Sequence, residues 1–240
     1  MKYLFSLKRY LELIKFFQNL NYEFKFFHNK IKSVGNVILR HDVDIDIDSA
    51  LLIAKIENLL GVKSTFFFLI SSNLYNVLTN TNQKKILEIN KLGHEIGLHF
   101  DFSIYEELKD NQINKKIILQ KNILENIIGK KIRTISIHRP GNKKISKKIN
   151  ICSLTNVYSK KFTKNIKYFS DSKGNWKYGF PPSLEVFKKQ KHSIQLLIHP
   201  IWWNSKKNLT NKSNSVQLKK ILKKLYNNNF KYLNTYKKFK

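Results

Sequence analysis

Apolar runs rich in β-branched and aromatic residues alternate with helical patterns along most of this 240-residue chain. The strand-like runs include NVILRHDVD, VKSTFFFLI, HEIGLHF, RTISIH and HSIQLLIHP. Helical spacing is found at 4–20, 47–60, 82–92 and 105–128. Because strands that alternate with helices build parallel sheets, the pattern predicts an α/β fold. About seven such units predict closure of the sheet into a barrel.

The chain is strongly basic, with 45 Lys and Arg residues against 16 Asp and Glu and a formal net charge of +29. Such a balance is typical of nucleic-acid-binding proteins. Base-reading proteins, however, depend on arginine for bidentate contacts, and only Arg9, Arg40, Arg133 and Arg139 are present. We therefore expect general attraction to anionic partners and no specific nucleic-acid partner. A basic nucleic-acid-binding protein is the alternative.

The N-terminal segment is apolar but interrupted by Lys8, Arg9, Glu12 and Lys15, which is not the pattern of a secretory signal. The chain has no run approaching the ~20 apolar residues of a membrane span, and its single cysteine, Cys152, excludes an internal disulfide. The sequence predicts a cytoplasmic protein. Its first helix either packs on the barrel or touches an anionic membrane surface.

The first polar motif, RHDVD, ends a predicted strand. Side chains alternate along a strand, so Arg40, Asp42 and Asp44 share one face, and His41 and Val43 share the other. Two carboxylates at a strand end can divide the work of metal-assisted hydrolysis, because one binds the metal while the other accepts a proton from water. The structural alternative is helix capping or surface charge.

The second motif, GHEIGLHFD, places His99 directly after an apolar strand, where a neutral imidazole is a good zinc ligand. His94 opens the same strand at its opposite end and is expected to be structural. Asp101 either accepts a hydrogen bond that orients an imidazole or is itself a ligand.

Two further motifs, SIHRPG and LLIHPIWW, also end strands. A guanidinium such as that of Arg139 can fix a catalytic carboxylate. His138 either points to the metal or packs against a helix. His199 ends the most apolar strand, and Trp202 and Trp203 after it either stack on a sugar or plug the barrel end.

Taken together, the motifs resemble those of the polysaccharide deacetylases, the NodB-like proteins of carbohydrate esterase family 4, over roughly residues 36–203. RHDVD is similar to the first Asp-Asp motif and GHEIGLH to the second motif. HRPG is similar to the Arg-Pro motif, YFSDSKGNW to the Asp/Trp motif and LLIHP to the last motif. The resemblance implies a distorted (β/α)7 barrel. The chain is expected to form a single domain, 1–240, in which helices 1–20 and 214–228 are additions to the motif core.

The resemblance also implies removal of an acetyl group from an N- or O-acetylated sugar with the help of a divalent metal, Zn²⁺ being the expected ion. By motif, Asp42 corresponds to the general base, Asp44 to the metal-binding aspartate and His99 to the first metal histidine. Arg139 corresponds to the arginine that orients the base, and His199 to the general acid.

Asp101, Asp171, Trp202 and Trp203 are the candidate substrate-binding residues. The sugar is expected to be a nucleotide-sugar or a lipid-linked glycan in surface-polysaccharide biosynthesis.

The chain departs from the family pattern at two positions. Val43 separates the two aspartates of the first motif, and Ser103 stands where the second metal histidine is expected. His138, Asp101 or Asp42 could supply the third ligand. Two other functions stay open: hydrolysis of another acyl or amide group on the same scaffold, and a catalytically inactive carbohydrate-binding relic.

Overall fold

Strands and helices alternate in the computed structural model, which describes residues 5–139, 153–176 and 178–205 and the pairs 218–219, 222–223 and 226–227. The strands are β1 (Glu23–Phe24), β2 (Asn36–Val43), β3 (Thr65–Leu69), β4 (Glu95–Asp101), β5 (Thr134–His138), β6 (Thr155–Asn156), β7 (Lys167–Ser170) and β8 (Ile194–Ile198). The helices are α1 (Leu7–Asn19), α2 (Ile47–Leu59), α3 (Asn80–Lys91), α4 (Asp110–Ile128), α5 (Lys160–Thr163) and α6 (Val186–Lys189).

The predicted elements are found with shifted ends. Of the expected closing helix 214–228, the structure describes only the three residue pairs, each helical. The run KKISKKIN, 143–150, whose sequence predicts a helix, lies outside the described residues. Among the helices that are described, none combines the length and the apolar character that crossing a bilayer would require.

All strand pairs of the sheet are parallel, in the order β6-β5-β4-β3-β2-β8-β7, and β1 pairs with the start of β2. Helices α2, α3 and α4 provide the crossovers that parallel neighbours need. Among the described strands, β6 and β7 lie at the two ends of this order and do not pair with each other. The curled, incompletely closed sheet confirms the predicted distorted barrel.

Alternation along the strands separates two cores. Outward-facing strand residues pack against the helices in one apolar layer that includes Leu39, Phe66, Leu98, Ile53, Ile86 and Ile117. A second apolar cluster consists of Phe27, Ile38, Phe67, Val157, Phe162 and Ile166. This second cluster contains the inward-facing Ile38 and Phe67, so it fills the barrel below the polar strand ends. Each fully buried apolar side chain stabilises the fold by roughly 1.5–3 kcal/mol.

Glycine is required at one position of β4. A Cβ added at Gly97 would lie 2.3 Å from Cε1 of the Phe67 ring and 2.9 Å from Oγ1 of Thr134. The missing side chain therefore makes room for the Phe67 ring inside the barrel.

Local sequence signals set where the helices begin and end. Asp46 caps α2, since its carboxylate accepts hydrogen bonds from the backbone N–H groups of Asp48 at 3.1 Å and Ser49 at 2.9 Å. Gly129, with φ of 67°, ends α4 in the left-handed conformation that favours glycine. The cap at Asp46 stops the chain from extending β2, which leaves Asp42 and Asp44 at the strand end.

Candidate active site

Side chains from the ends of β2, β4 and β5 converge at the carboxyl end of the barrel. Asp44 Oδ1 lies 3.1 Å from His99 Nε2 and 3.5 Å from His138 Nδ1, and the two imidazole nitrogens are 3.1 Å apart. The parallel register of β4 and β5, which pairs His99 with Ser136 and Asp101 with His138, brings the two histidines together. The structure thus brings His138, one of the three residues left open as the third ligand, together with Asp44 and His99.

The three residues fit a divalent metal. One atom of each lies within 4.8 Å of the others, and Asp44 Oδ1 is buried without a hydrogen-bond partner among the described residues. His99 Nδ1–H donates to the carbonyl of Ser136 at 3.2 Å, which leaves Nε2 free to face the cluster. One carboxylate oxygen and two imidazole nitrogens are a donor set that zinc prefers.

Asp101 supports this cluster from outside. Its Oδ2 lies 3.9 Å from His138 Nε2, on the side of the imidazole that faces away from Asp44. Its Oδ1 accepts hydrogen bonds from the backbone N–H and the hydroxyl of Ser103, at 2.9 and 2.6 Å. At 3.9 Å this contact is longer than a hydrogen bond, so orientation of the imidazole by Asp101 stays a prediction, as does its binding of substrate. Ser103, at the position expected for a histidine, therefore donates both of its hydrogen bonds to Asp101.

Electrostatics around the cluster favour a cation. Burial raises the pKa of Asp44, but the facing imidazoles of His138 and His99 outweigh it and hold that pKa well below its ordinary value. Burial lowers the pKa of His99, while the charges of Asp42 and Asp44 raise it above its ordinary value. Both shifts arise because carboxylates crowd the imidazoles, and a metal ion would neutralise the same charge.

Asp42 lies beside the cluster on the same face of β2, 3% exposed. The Ser136 hydroxyl lies within hydrogen-bond distance of both carboxylate oxygens, at 3.2 and 3.1 Å. Arg40 Nη2 donates to Asp42 Oδ2 at 3.3 Å, and this same oxygen is 3.9 Å from His99 Nε2. A carboxylate next to the ligand atoms is in the place that a general base requires.

His199 approaches the cluster from β8. Its Nε2 lies 3.8 Å from Asp44 Oδ2, and its Nδ1–H donates to Asp171 Oδ1 at 2.6 Å. Burial lowers the pKa of His199, but the charge and the hydrogen bond of Asp171, aided by Asp44 and Asp42, raise it from 6.5 to about 9. The imidazole is therefore protonated at neutral pH and can donate a proton.

The structure corrects two predicted substrate-binding residues. Asp171 and Trp203 are both completely buried, so neither can contact a sugar. Trp203 Nε1–H donates to Asp171 Oδ2 at 2.7 Å, and its ring packs edge-on against Tyr10. Asp171, which follows β7, holds His199 at the end of the neighbouring β8, and Trp203 in turn holds Asp171. Trp202 is half-buried and packs against the apolar layer between the sheet and the helices, and sugar stacking by it stays a prediction.

Arg139 is also misplaced relative to its predicted role. It is exposed at the end of β5, with φ of 50°, and among the described residues no contact joins it to Asp42. Strand alternation places Arg139 on the face opposite to His138, and the left-handed backbone conformation ends the strand there. The guanidinium that contacts Asp42 is that of Arg40.

Two residues of the site were missed from the sequence, although a signal for each was present. The alternation of RHDVD places Arg40 on the face of Asp42, and that of RTISIH places Ser136 on the face of His138. Neither Arg40 nor Ser136 lies at a strand end, where the motif residues cluster.

The remaining motif histidines serve the fold, as predicted for His94. His41 Nε2 lies 2.7 Å from Glu57 Oε1, and His94 Nδ1 lies 3.5 Å from Glu57 Oε2. The Ser64 hydroxyl donates to Glu57 Oε2 at 2.6 Å, and the Tyr10 hydroxyl donates to Oε1. This fully buried network ties α1 and α2 to the outer face of the sheet.

Solved structures that share this fold include polysaccharide deacetylases of carbohydrate esterase family 4. The chitin deacetylase of Colletotrichum lindemuthianum is 17% identical over 81% of this chain and 84% of its own, with a TM-score of 0.51. A polysaccharide deacetylase from Bacillus cereus is 17% identical over 80% of this chain and 89% of its own, with a TM-score of 0.47.

A family 4 pseudoenzyme from Bacillus anthracis is 16% identical over 83% of this chain, with a TM-score of 0.43, and the chain spans 63% of that protein. No protein-family model matches the sequence, and no curated protein matches it. At these identities the likeness to the chitin deacetylase establishes the fold. The resemblance read from the motifs is confirmed at that level.

Proposed function

We propose that this protein is a metal-dependent hydrolase that removes an acetyl group from an N- or O-acetylated sugar. One arrangement supports the proposal above all: Asp44, His99 and His138 present three ligand atoms within 4.8 Å. On either side of them stand a buried carboxylate, Asp42, and a protonated imidazole, His199. A paired base and acid beside a cation site are the parts that hydrolysis of an amide or ester needs.

In this proposal Asp44 Oδ1, His99 Nε2 and His138 Nδ1 hold the metal. A divalent ion held there, with Zn²⁺ the expected one, supplies acidity to bound water and polarises the acyl carbonyl. Asp42 accepts the proton of the attacking water through the oxygen that faces His99. His138 takes the ligand place that Ser103 leaves empty.

His199 supplies a proton to the departing amine or alcohol. Its Nδ1–H is held by Asp171, so the protonated ring presents Nε2–H toward the cluster, where it lies 3.8 Å from Asp44 Oδ2. Asp42 must be ionised and His199 protonated at the same time. Because their protonation requirements are opposite, the rate should show a bell-shaped dependence on pH.

The sugar substrate is proposed from the fold and from the site's surroundings. Proteins with this fold include a chitin deacetylase and a peptidoglycan deacetylase from Bacillus subtilis. Trp202, a half-buried residue three positions after His199, is the aromatic ring proposed to stack on a sugar. We place the reaction in cytoplasmic synthesis of a surface polysaccharide, with a nucleotide-sugar or a lipid-linked glycan as substrate.

Release of acetate from a panel of acetylated sugars, measured with zinc-loaded and chelator-treated protein, tests this proposal. Zinc-loaded protein should release acetate, and chelation should stop the release. Asp42→Asn should abolish turnover while the protein stays folded at the assay temperature and keeps its zinc content. Formyl-sugars and cyclic amides in the same panel test the other acyl groups. A folded protein that binds no zinc and releases no acyl group would refute the proposal and leave a carbohydrate-binding relic.

A further inference from the structure

Directly below Asp42, the barrel interior holds a completely buried guanidinium, that of Arg40. Its Nη1 donates to Gln195 Oε1 at 3.1 Å, and its Nη2 donates to Tyr158 Oη at 2.6 Å and to Asp42 Oδ2 at 3.3 Å. A charged group removed from water in this way is tolerated only when it is paired and hydrogen-bonded. Among the described residues, Asp42 is its carboxylate partner.

The guanidinium is held rigidly by its neighbours. It lies 4.4 Å from the centre of the Tyr158 ring and 6.0 Å from that of Tyr168. Gln195 Nε2 donates to the carbonyls of Val157 and Phe162, at 3.2 and 2.8 Å, which turns Gln195 Oε1 toward the arginine. The arginine thus has a fixed position that does not depend on Asp42, which is the property of a residue that orients another.

Among the described residues, two donors approach the Asp42 carboxylate, the Ser136 hydroxyl and the Arg40 guanidinium. The hydroxyl lies almost equidistant from the two oxygens, so it does not distinguish them. The guanidinium bonds to Oδ2 alone, and this is the oxygen 3.9 Å from His99 Nε2. The rotation of the carboxylate about its Cβ–Cγ bond is therefore set by Arg40.

We infer that Arg40, and not Arg139, is the residue that positions Asp42 for proton transfer, an inference that rests on the proposed function of Asp42 as the base. Arg40 and Asp42 are two residues apart on β2, so strand geometry alone fixes their relative positions. Arg139 is exposed and makes no contact with Asp42 among the described residues. A guanidinium on the same strand as the base can position it without a contact from Arg139 at the end of β5.

The kinetic test uses zinc-loaded variants of both arginines. Arg40→Met should lower kcat for acetate release by on the order of 100-fold, because a displaced base loses its reactive geometry. KM and zinc content should stay within about twofold. Arg40→Lys should recover part of the loss, since it keeps the charge but not the fork. Arg133 is an exposed arginine directly before β5. Arg133→Met is therefore the matched control and should leave kcat unchanged.

Arg139→Met decides between the two arginines. We expect its kcat to stay within about twofold of the wild-type value, well above that of Arg40→Met. A loss through Arg139→Met that equals or exceeds that of Arg40→Met would overturn the inference. So would an Arg40→Met enzyme with unchanged kcat.

A second measurement does not depend on activity. In a thermal double-mutant cycle, Arg40→Met should lower the melting temperature by on the order of 10 °C, because it leaves a buried carboxylate unpaired. Arg40→Met combined with Asp42→Asn should lose much less than the two single losses together, whereas the losses of Arg139→Met and Asp42→Asn should add. A crystal structure of Arg40→Lys should show the Asp42 carboxylate rotated.

These measurements also separate failure of the inference from failure of the proposed function. A wild-type protein that releases no acetate would refute the proposed function, yet coupling in the cycle and a rotated carboxylate would still support positioning by Arg40. Additive losses and an unmoved carboxylate would overturn the inference whether or not acetate is released. Coupling with an unchanged kcat would show that the pair serves the fold alone.

Discussion

Replacing Asp171 with asparagine removes the negative charge that His199 faces while keeping nearly the same volume. The carboxylate accepts from His199 Nδ1–H at 2.6 Å and from Trp203 Nε1–H at 2.7 Å. An asparagine can accept only one of these two bonds, because its amide nitrogen is a donor. We expect Asp171→Asn to lower the pKa of His199 from about 9 toward or below its ordinary 6.5.

The size of the effect follows from the pKa of His199. In the metal-free protein that pKa is raised from 6.5 to about 9, and each unit of difference between folded and unfolded chains corresponds to about 1.4 kcal/mol. The ion pair therefore contributes roughly 3 kcal/mol to the free energy of unfolding. Since the folded-state pKa is the higher one, this stability is fully present below pH 6.5 and is lost as the pH rises to about 9.

The assay is urea unfolding of the metal-free protein, in chelator, at intervals from pH 6 to pH 9.5, combined with an NMR titration of His199. The difference in unfolding free energy between wild type and Asp171→Asn should shrink by roughly 3 kcal/mol over this range. Asp48→Asn, which removes an exposed carboxylate, is the control and should run parallel to wild type. Parallel curves for Asp171→Asn, or a His199 pKa that the substitution leaves in place, would refute the reasoning.

Three further substitutions test other parts of the structure. His138→Gln should weaken zinc binding, measured by calorimetry, by more than the 10–100-fold typical of removing an outer-shell partner; affinity equal to wild type would exclude His138 as a ligand. Gly97→Ala, which places a methyl against the Phe67 ring, should cost about 1–3 kcal/mol in urea unfolding. Glu57→Leu should lower the melting temperature by on the order of 10 °C, because it strips the buried His41 of its carboxylate; a change under 2 °C would contradict the role of the network.

Much of the fold could be predicted because it depends on patterns local in the sequence. The alternation of strand-like and helical segments is enough to predict parallel strands joined by crossovers. Helix ends were readable where the chemistry is local, as at Gly129, where only glycine easily adopts the required φ. The length of β6 was harder to predict. The run SLTNVY predicts a longer strand, whereas β6 has only two residues in the structure.

The candidate site was predictable in its composition and less so in its contacts. The motifs predict Asp44 and His99 as metal ligands and leave His138 as one of three candidates for the third, and the register between β4 and β5 brings the two histidines together. Asp171 and Trp203 were assigned to the substrate because polar and aromatic residues near a site usually face it. Burial of both could not be read from the motifs, because it depends on how β7, β8 and α1 pack.

By itself, the sequence determined which side chains share a strand face, since the two-residue period of a strand follows from the backbone alone. That period puts Arg40, Asp42 and Asp44 on one side of β2. Only the tertiary structure decided which arginine meets Asp42, because this depends on where β5 ends and which way Arg139 turns. Contacts between distant strands depend on register and sheet curvature, and no single segment of the chain encodes either.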